Sequence, residues 1–363
     1  MKILCVIDSL GSGGAQRQLV NLALAFKDKG HEVSFLVYHS EPFYYTTLKE
    51  HGIDILEVIE PSYIKRLLKM RRVIRNGKYD SVLSFLEAAN FICEVSGLPF
   101  RKWRLVVGER SANPAILKSF KLRFYRFFHI FADVVVANSY ENIKLVKKVN
   151  PLLSDKKLQV IYNLIDFEKW QPKSKNYVFR KNGKFNLIVV ASHQYLKNLD
   201  GLVEAVNLLN DDEKSQLVIN WYGGDRPDNS KKESFKKIED YGLENIFYFH
   251  QPTIDIANKV NEADALGLFS FYEGLPNAVC EAMTNAKPVI SSCVSDIPLL
   301  LDNDYLFDPN DITGILRVIR RLLSSSEAML EKIGERNSQI ANTKFKKENI
   351  VDDYLKALKA STT

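Results

Sequence analysis

Two glutamates eight positions apart, Glu273 and Glu281, enclose the string Gly274-Leu275-Pro276-Asn277. The apolar run Ala265 to Phe269 predicts a strand, which Ser270-Phe271-Tyr272 leads out of. The glycine, proline and asparagine then predict a turn that opens a helix, with Pro276 in the first turn, where its missing N–H is not needed. Val279, Ala282 and Met283 follow at helical spacing. Asn285 ends the helix, Lys287-Pro288 stops any continuation, and Val289 to Ser292 predicts a second buried strand. Glu273 therefore precedes the helix and Glu281 lies inside it. The unpaired N–H groups at a helix start favour an anion. A phosphate there has a carboxylate on each side, each able to accept hydrogen bonds from sugar hydroxyls. The plainer reading is a strand-helix-strand unit with two surface glutamates.

Other segments must position this unit. Lys2 to Ile7 predicts a strand, Asp8 to Gly14 a glycine-rich loop, Gln16 to Lys27 a helix, and Gly30 to Val37 a turn and second strand, a β-α-β opening. The loop lacks the third glycine of the dinucleotide fingerprint. No acidic residue ends the second strand to hold a ribose, which argues against NAD. The plain alternative for the loop is a tight turn that needs glycine only for positive φ. Strands are also predicted at 81–85, 105–108, 134–139, 185–191, 218–222 and 246–250. Glu109-Arg110-Ser111 falls at the end of one of them, where polar residues point into a ligand crevice.

The chain has 363 residues, 46% hydrophobic and 26% charged, a globular composition with mass for two domains. Met1-Lys2 runs straight into the first strand, so no leader is expected, and no apolar stretch reaches the length of a membrane span. Cys5, Cys93, Cys280 and Cys293 lie in or beside apolar segments without metal-ligand spacing, which predicts buried thiols in a reducing cytoplasm. Asp302-Asn303-Asp304 reads as a turn rather than a metal motif.

Charge is uneven. Residues 1–165 hold 25 Lys and Arg against 15 Asp and Glu, whereas the remainder holds 25 against 29. The first half is thus expected to face an anionic partner. Tyr63 to Gly77 predicts a helix with Ile64, Leu67, Leu68, Met70, Val73 and Ile74 on one side and Lys65, Arg66, Lys69, Arg72 and Arg75 on the other. Lys118 to Phe131 interleaves Lys118, Lys121, Arg123 and Arg126 with six aromatic rings. Both segments suit anionic lipid headgroups or a polyprenyl-phosphate acceptor. The plainer reading is a solvated basic back on a core-facing helix. No recognition motif for nucleic acid is present.

The string from Glu273 to Glu281, in its strand-loop-helix-strand setting, resembles the signature of the family 4 glycosyltransferases. These are retaining enzymes of the GT-B fold, with two Rossmann-like domains facing across a cleft. Ser12-Gly13-Gly14-Ala15-Gln16-Arg17 resembles the family's SGGAER, with Gln16 in the glutamate place. Residues 160–166 resemble its hinge. In Ser192 to Asn198, Lys197 fits the family's diphosphate lysine, and His193 falls where an arginine is usual. His250-Gln251-Pro252 falls where a loop meets the nucleobase.

The resemblance implies an α/β chain of two Rossmann-like domains. Residues 1–165, capped by a final helix 345–363, bind the acceptor, and residues 166–344 bind the nucleotide sugar. It implies a donor site of Gly13, Gly14, His193, Lys197, His250, Glu273, Gly274, Leu275, Pro276, Asn277 and Glu281. Glu281 holds the ribose, Glu273 the donor sugar, and Lys197, the helix start and the Gly13-Gly14 amides the leaving diphosphate. Glu273, Lys197 and Arg110 are the catalytic candidates. Arg110 stands where several relatives carry histidine, so it orients a sugar or phosphate and cannot act as a base. No metal or cofactor is expected.

The likeness is to members that extend lipid-linked oligosaccharides on the cytoplasmic face. It implies transfer of a hexose or N-acetylhexosamine, UDP-linked, to a lipid-linked or cell-surface glycan precursor, by a protein peripheral to the inner face of the cytoplasmic membrane. The rivals are a nucleotide-sugar epimerase of the same fold and a catalytically silent nucleotide-sugar-binding module. Release of nucleoside diphosphate separates them from a transferase.

Overall fold

The computed structural model describes residues 1–173, 177–181 and 183–359. They form two units. One comprises Met1–Leu164 with the segment from Lys347 onward, and the other Ile165–Lys346. Each is a parallel sheet covered by helices, a Rossmann-like arrangement.

In the first unit the strands are β1 (Lys2–Val6), β2 (Glu32–Val37), β3 (Asp54–Glu57), β4 (Ser81–Phe85), β5 (Arg104–Glu109), β6 (Val134–Ala137) and β7 (Leu158–Val160), in the order β3-β2-β1-β4-β5-β6-β7. Strand residues alternate between the two sheet faces. Ile3 and Cys5 pack on one side with Leu19, Phe26 and the C-terminal Ile350, Tyr354 and Leu358. Leu4 and Val6 pack on the other with Met70, Ile74 and Ile92. Burial on both faces is why these strands are near-continuous apolar runs.

The second unit holds β8 (Phe185–Val190), β9 (Leu217–Tyr222), β10 (Phe247–His250), β11 (Ala265–Leu268), β12 (Val289–Ser292) and β13 (Leu306–Phe307), ordered β10-β9-β8-β11-β12-β13. The order reverses between β8 and β11, which pair in parallel through Ala265↔Leu187 and Leu266↔Ile188. A doubly wound sheet binds its ligands beyond the strand ends at such a reversal.

Several expectations are corrected. The final helix runs Lys347–Leu358, because Phe345 is buried as the cap of the preceding helix Glu327–Lys344. Residues 360–363 of the expected helix lie outside the described residues. The division falls after Leu164 and after Lys346. The aromatic-basic segment is a helix only over Phe120–Phe127, capped by the Ser119 side chain, and continues as a 3-10 turn, Phe128–Phe131. Cys5, Cys93 and Cys280 are buried, but Cys293 is exposed, since it stands just past β12 where the chain leaves the sheet. Among the described residues no helix is long and apolar enough to cross a membrane.

Candidate active site

The loops that follow β8 and β11 carry the two halves of the candidate site. After β8 the chain turns through a 3-10 segment, Tyr195–Lys197, into the helix Leu199–Asn207. Asn198 makes that turn in the left-handed region, at φ 56°, and caps the helix by accepting from Gly201 N–H. Its Nδ2 donates to Pro309 O at 2.8 Å, which anchors the cap to the unit. Lys197 is held in place by this cap.

After β11, Ser270 leads to Glu273. Lys197 Nζ donates to Glu273 Oε1 at 2.5 Å, and Ser270 Oγ donates to the same oxygen at 2.7 Å. The backbone of Ser270 is fixed in turn, because Ser292 Oγ donates to its carbonyl at 2.7 Å. Both bonds to the carboxylate land on Oε1, which leaves Oε2 able to accept from a substrate hydroxyl. Ser270 and Ser292 were not among the expected residues. The Ser-x-x-Glu spacing was the one local signal for Ser270, and nothing in the sequence pairs it with Ser292.

Gly274, Leu275 and Pro276 are buried, and Pro276 is the N-cap of the helix Asn277–Thr284 rather than part of its first turn. Asn277 opens the helix and Glu281 lies one turn further in, almost wholly buried. A carboxylate so enclosed next to a helix start is suited to paired hydroxyls, where each hydrogen bond is charge-assisted.

The two histidines have different surroundings. His193 is buried between Trp221, on which it stacks at 5.7 Å, and Phe249 at 5.5 Å. Burial, then the nearby Lys231 charge, holds its imidazole below the ordinary value, with Asp225 pulling the other way. Its Nδ1 has no hydrogen-bond partner. The ring thus packs against Trp221 and Phe249 where the loop leaves β8, with one ring nitrogen unpaired. His250 stacks on Tyr222 at 4.3 Å, and its Nε2 meets Asn220 Oδ1 at 2.8 Å. Burial, then Lys259, keeps it below its ordinary value.

In the first unit Gly13 is the N-cap of the helix Gly14–Asp28 with φ −70°, so positive φ is not why glycine stands there. A Cβ at Gly13 would come within 2.1 Å of Gln16 Oε1, a side chain whose Nε2 donates to Asp8 Oδ1 at 2.9 Å. Gly14 is exposed at the first position of the helix.

Arg110, just past β5, lies over the Phe85 ring at 3.7 Å. It donates through Nη1 to Asn163 Oδ1 at 3.2 Å and through Nη2 to the Tyr354 hydroxyl. These bonds tie the end of β5 to the final helix, and its Nε has no hydrogen-bond partner.

Arg126 is corrected outright. It is fully buried, with Nη2 on Glu109 Oε2 at 2.7 Å and on Glu87 Oε1 at 3.2 Å. Beside it His129 bridges Glu94 Oε1 at 2.6 Å and Glu109 Oε1 at 2.9 Å. Burial opposes its charge, but the Glu94 and Glu109 carboxylates raise its pKa to about 9. Burial pushes Glu109 up, yet Arg126 and His129 hold it below the ordinary carboxylate value. The cluster fastens the aromatic segment to the sheet.

The remaining cations divide in two. Arg71 and Arg75 donate to Ser96 O at 2.9 and 3.0 Å, which spends them on the end of the helix Glu87–Ser96. Arg66 is half-buried over Tyr38 and Tyr63, and Lys69 pairs with Glu60 at 2.7 Å. Lys65, Arg72, Lys118, Lys121 and Arg123 are exposed. They surround apolar side chains that the helical pattern had assigned partly to the core. Ile64 is 70% exposed, Leu68 60% and Phe120 85%, with Phe124 and Phe127 exposed as well. Burial and a hydrogen bond to Tyr125 raise the Tyr63 phenol, and that bond brings the start of the helix Tyr63–Asn76 beside the helix Phe120–Phe127. The two segments therefore form one basic, aromatic surface.

Two family models match the chain, one described as Glycosyltransferase Family 4 over residues 12–169 and one as Glycosyl transferases group 1 over 171–340. The sequence is 28% identical over 296 residues, 78% of this chain and 77% of the relative, to a Campylobacter jejuni enzyme. That enzyme is named GalNAc-alpha-(1->4)-GalNAc-alpha-(1->3)-diNAcBac-PP-undecaprenol alpha-1,4-N-acetyl-D-galactosaminyltransferase. It is 27% identical over 302 residues, 78% of each chain, to a second enzyme of the same organism, named N-acetylgalactosamine-N,N'-diacetylbacillosaminyl-diphospho-undecaprenol 4-alpha-N-acetylgalactosaminyltransferase. Among solved structures, Anabaena HepE in complex with UDP and glucose aligns over 99% of both chains with a TM-score of 0.85 at 19% identity.

Proposed function

The chain belongs to the family 4 glycosyltransferases of the GT-B fold, and from that premise we propose that it moves a hexose or N-acetylhexosamine from a UDP-sugar to a lipid-linked glycan precursor, with retention at the anomeric carbon. The observation that carries the donor half is the Lys197–Glu273–Ser270 constellation at the reversal between β8 and β11. In this reading the Glu273 Oε2 takes a hydroxyl of the donor sugar. Lys197 moves from Glu273 toward the leaving diphosphate, joined by the N–H groups that open the helix Asn277–Thr284. Positive groups placed where charge develops lower the barrier without a metal ion. Glu281 takes the ribose hydroxyls. The acceptor half rests on the two Campylobacter jejuni relatives, whose names both include an undecaprenol-linked diphosphate.

The test is turnover. Purified protein incubated with UDP-sugars and a polyprenyl-diphosphate-linked acceptor, in EDTA, is expected to release UDP and lengthen the acceptor. A need for Mg²⁺ or Mn²⁺ would overturn the metal-free scheme, and UDP-sugar isomerised without transfer would favour an epimerase. Binding is tested separately. Glu281→Ala is expected to weaken UDP by about 1.5–3 kcal/mol, the value of hydrogen bonds to a charged acceptor. Unchanged UDP affinity by calorimetry in a folded variant removes Glu281 from the site.

The basic, aromatic surface of the first unit supports peripheral attachment to the inner face of the cytoplasmic membrane, where a polyprenyl-linked acceptor presents its sugar. Each cation near an anionic bilayer contributes about 1 kcal/mol, screened by salt, and exposed rings suit the interface. Co-sedimentation with phosphatidylserine vesicles is expected to fall as salt rises, and to fall again when Lys65, Arg72, Lys121 and Arg123 are changed to Gln. Equal recovery with neutral and anionic vesicles leaves the charge without a membrane role.

A further inference from the structure

Beside the Lys197–Glu273 pair stand two aromatic rings that the proposed chemistry does not use. The loop after β8 and the loop after β11 run together there, since Phe271 N–H donates to Leu196 O at 2.9 Å. Tyr195 lies two residues before Lys197 and Phe271 two residues before Glu273. Their rings stack, with centroids 5.0 Å apart and planes 27° from parallel. Phe271 is half-buried, whereas Tyr195 is 71% exposed.

This pair is not needed to hold the loops together. Tyr195 N–H is fixed by Asp228 Oδ2 at 2.9 Å, Leu196 O by Phe271 N–H, and the end of the turn by the Asn198 cap. A ring left mostly in water adds little apolar burial to the fold. What it offers is a flat apolar face, already ordered by its neighbour, next to an ammonium and a carboxylate. A pyranose ring has the complementary shape: one face of C–H groups and a rim of hydroxyls. Laying the C–H face on an aromatic ring buries apolar surface, while the carboxylate takes the rim. The ordering cost is small, because a stacked tyrosine has few torsions to fix.

We propose that Tyr195, backed by Phe271, is a saccharide-stacking platform that reads the pyranose held at Glu273 and so helps set which sugar this enzyme accepts. The inference rests on the glycosyltransferase reading of the Lys197–Glu273 site. The pyranose belongs either to the donor or to the acceptor, and the two arms of the test separate these sources.

The experiment compares wild-type protein with Tyr195→Ala and Tyr195→Phe. Donor KM and acceptor KM are varied in turn, and calorimetry is run with UDP alone. Loss of one stacked ring face is expected to raise KM for the sugar it touches about two- to thirteenfold, in the range seen for aromatic stacking. UDP affinity should stay within twofold, and Tyr195→Phe should keep wild-type values. A rise confined to donor KM assigns the platform to the donor sugar, and a rise confined to acceptor KM assigns it to the acceptor. If Tyr195→Ala changes neither KM, the platform is overturned while the enzyme reading stands. If UDP affinity falls as far as KM rises, the ring serves the nucleotide or the loop, and the platform is again overturned. Wild-type protein that neither binds UDP nor turns over a UDP-sugar removes the donor reading and the platform with it.

Discussion

Changing Lys197 to methionine is expected to lower kcat about 10²–10³-fold, the loss typical when one preorganised charge-stabilising group is removed from a reacting centre. In the structure Lys197 Nζ sits on Glu273 Oε1, and the side chains of both residues are largely buried. In the proposed scheme this ammonium turns to the leaving diphosphate, so its removal takes away charge where the diphosphate gains it. Methionine keeps much of the volume and loses the charge, which separates electrostatics from packing. Glu273→Gln tests the other partner. It keeps one carbonyl oxygen that accepts from Ser270 Oγ, replaces the accepting Oε2 by an NH2 that can only donate to the sugar hydroxyl, and is expected to cost less than Lys197→Met. Steady-state kinetics at saturating UDP-sugar decides the matter. A Lys197→Met enzyme within threefold of wild-type kcat removes Lys197 from the transition state.

The strand-turn-helix unit that carries Glu273 and Glu281 was legible because its signals are local. A strand, a Gly-Leu-Pro-Asn turn and a helix follow one another within 20 residues, and each element is fixed by short-range patterning. What the sequence hid are pairings made only by the fold. Ser292 reaches Ser270 across 22 positions. Arg126 looked like one more cation on a basic face, because its partners Glu109 and Glu87 stand 17 and 39 positions away. Ile64 and Leu68 fit a helical apolar stripe, yet the sheet covers only Met70 and Ile74 fully, and the start of the helix projects past it. His193 was legible as a loop residue, but its packing was not, because its ring partners Trp221 and Phe249 stand on β9 and β10, 28 and 56 positions away.

Arg126→Met is expected to destabilise the first unit by about 3–5 kcal/mol, because removing one member of a buried ion cluster leaves its partners charged without compensation. Glu109 loses its closest cation and Glu87 its contact, inside a shell that also holds Glu94, whose pKa burial raises most strongly against the pull of His129. Replacing both partners, Arg126→Met with Glu109→Gln, is expected to cost less than the single change, since no uncompensated carboxylate then faces His129. The same cluster has a pH signature. The folded value of His129, about 9, lies above its ordinary 6.5. Its contribution to stability is therefore complete below about pH 6.5 and is lost as pH rises through about 9. Urea unfolding of wild-type protein should show a midpoint that falls over this window, with the fall reduced in His129→Gln, which keeps a hydrogen-bonding side chain but does not titrate. Identical pH profiles for the two proteins, or an Arg126→Met variant within 1 kcal/mol of wild type, would mean that the aromatic segment is held by the packing of Phe124, Tyr125 and Phe128 on Phe91 alone. The buried charges would then have no part in presenting the surface above them.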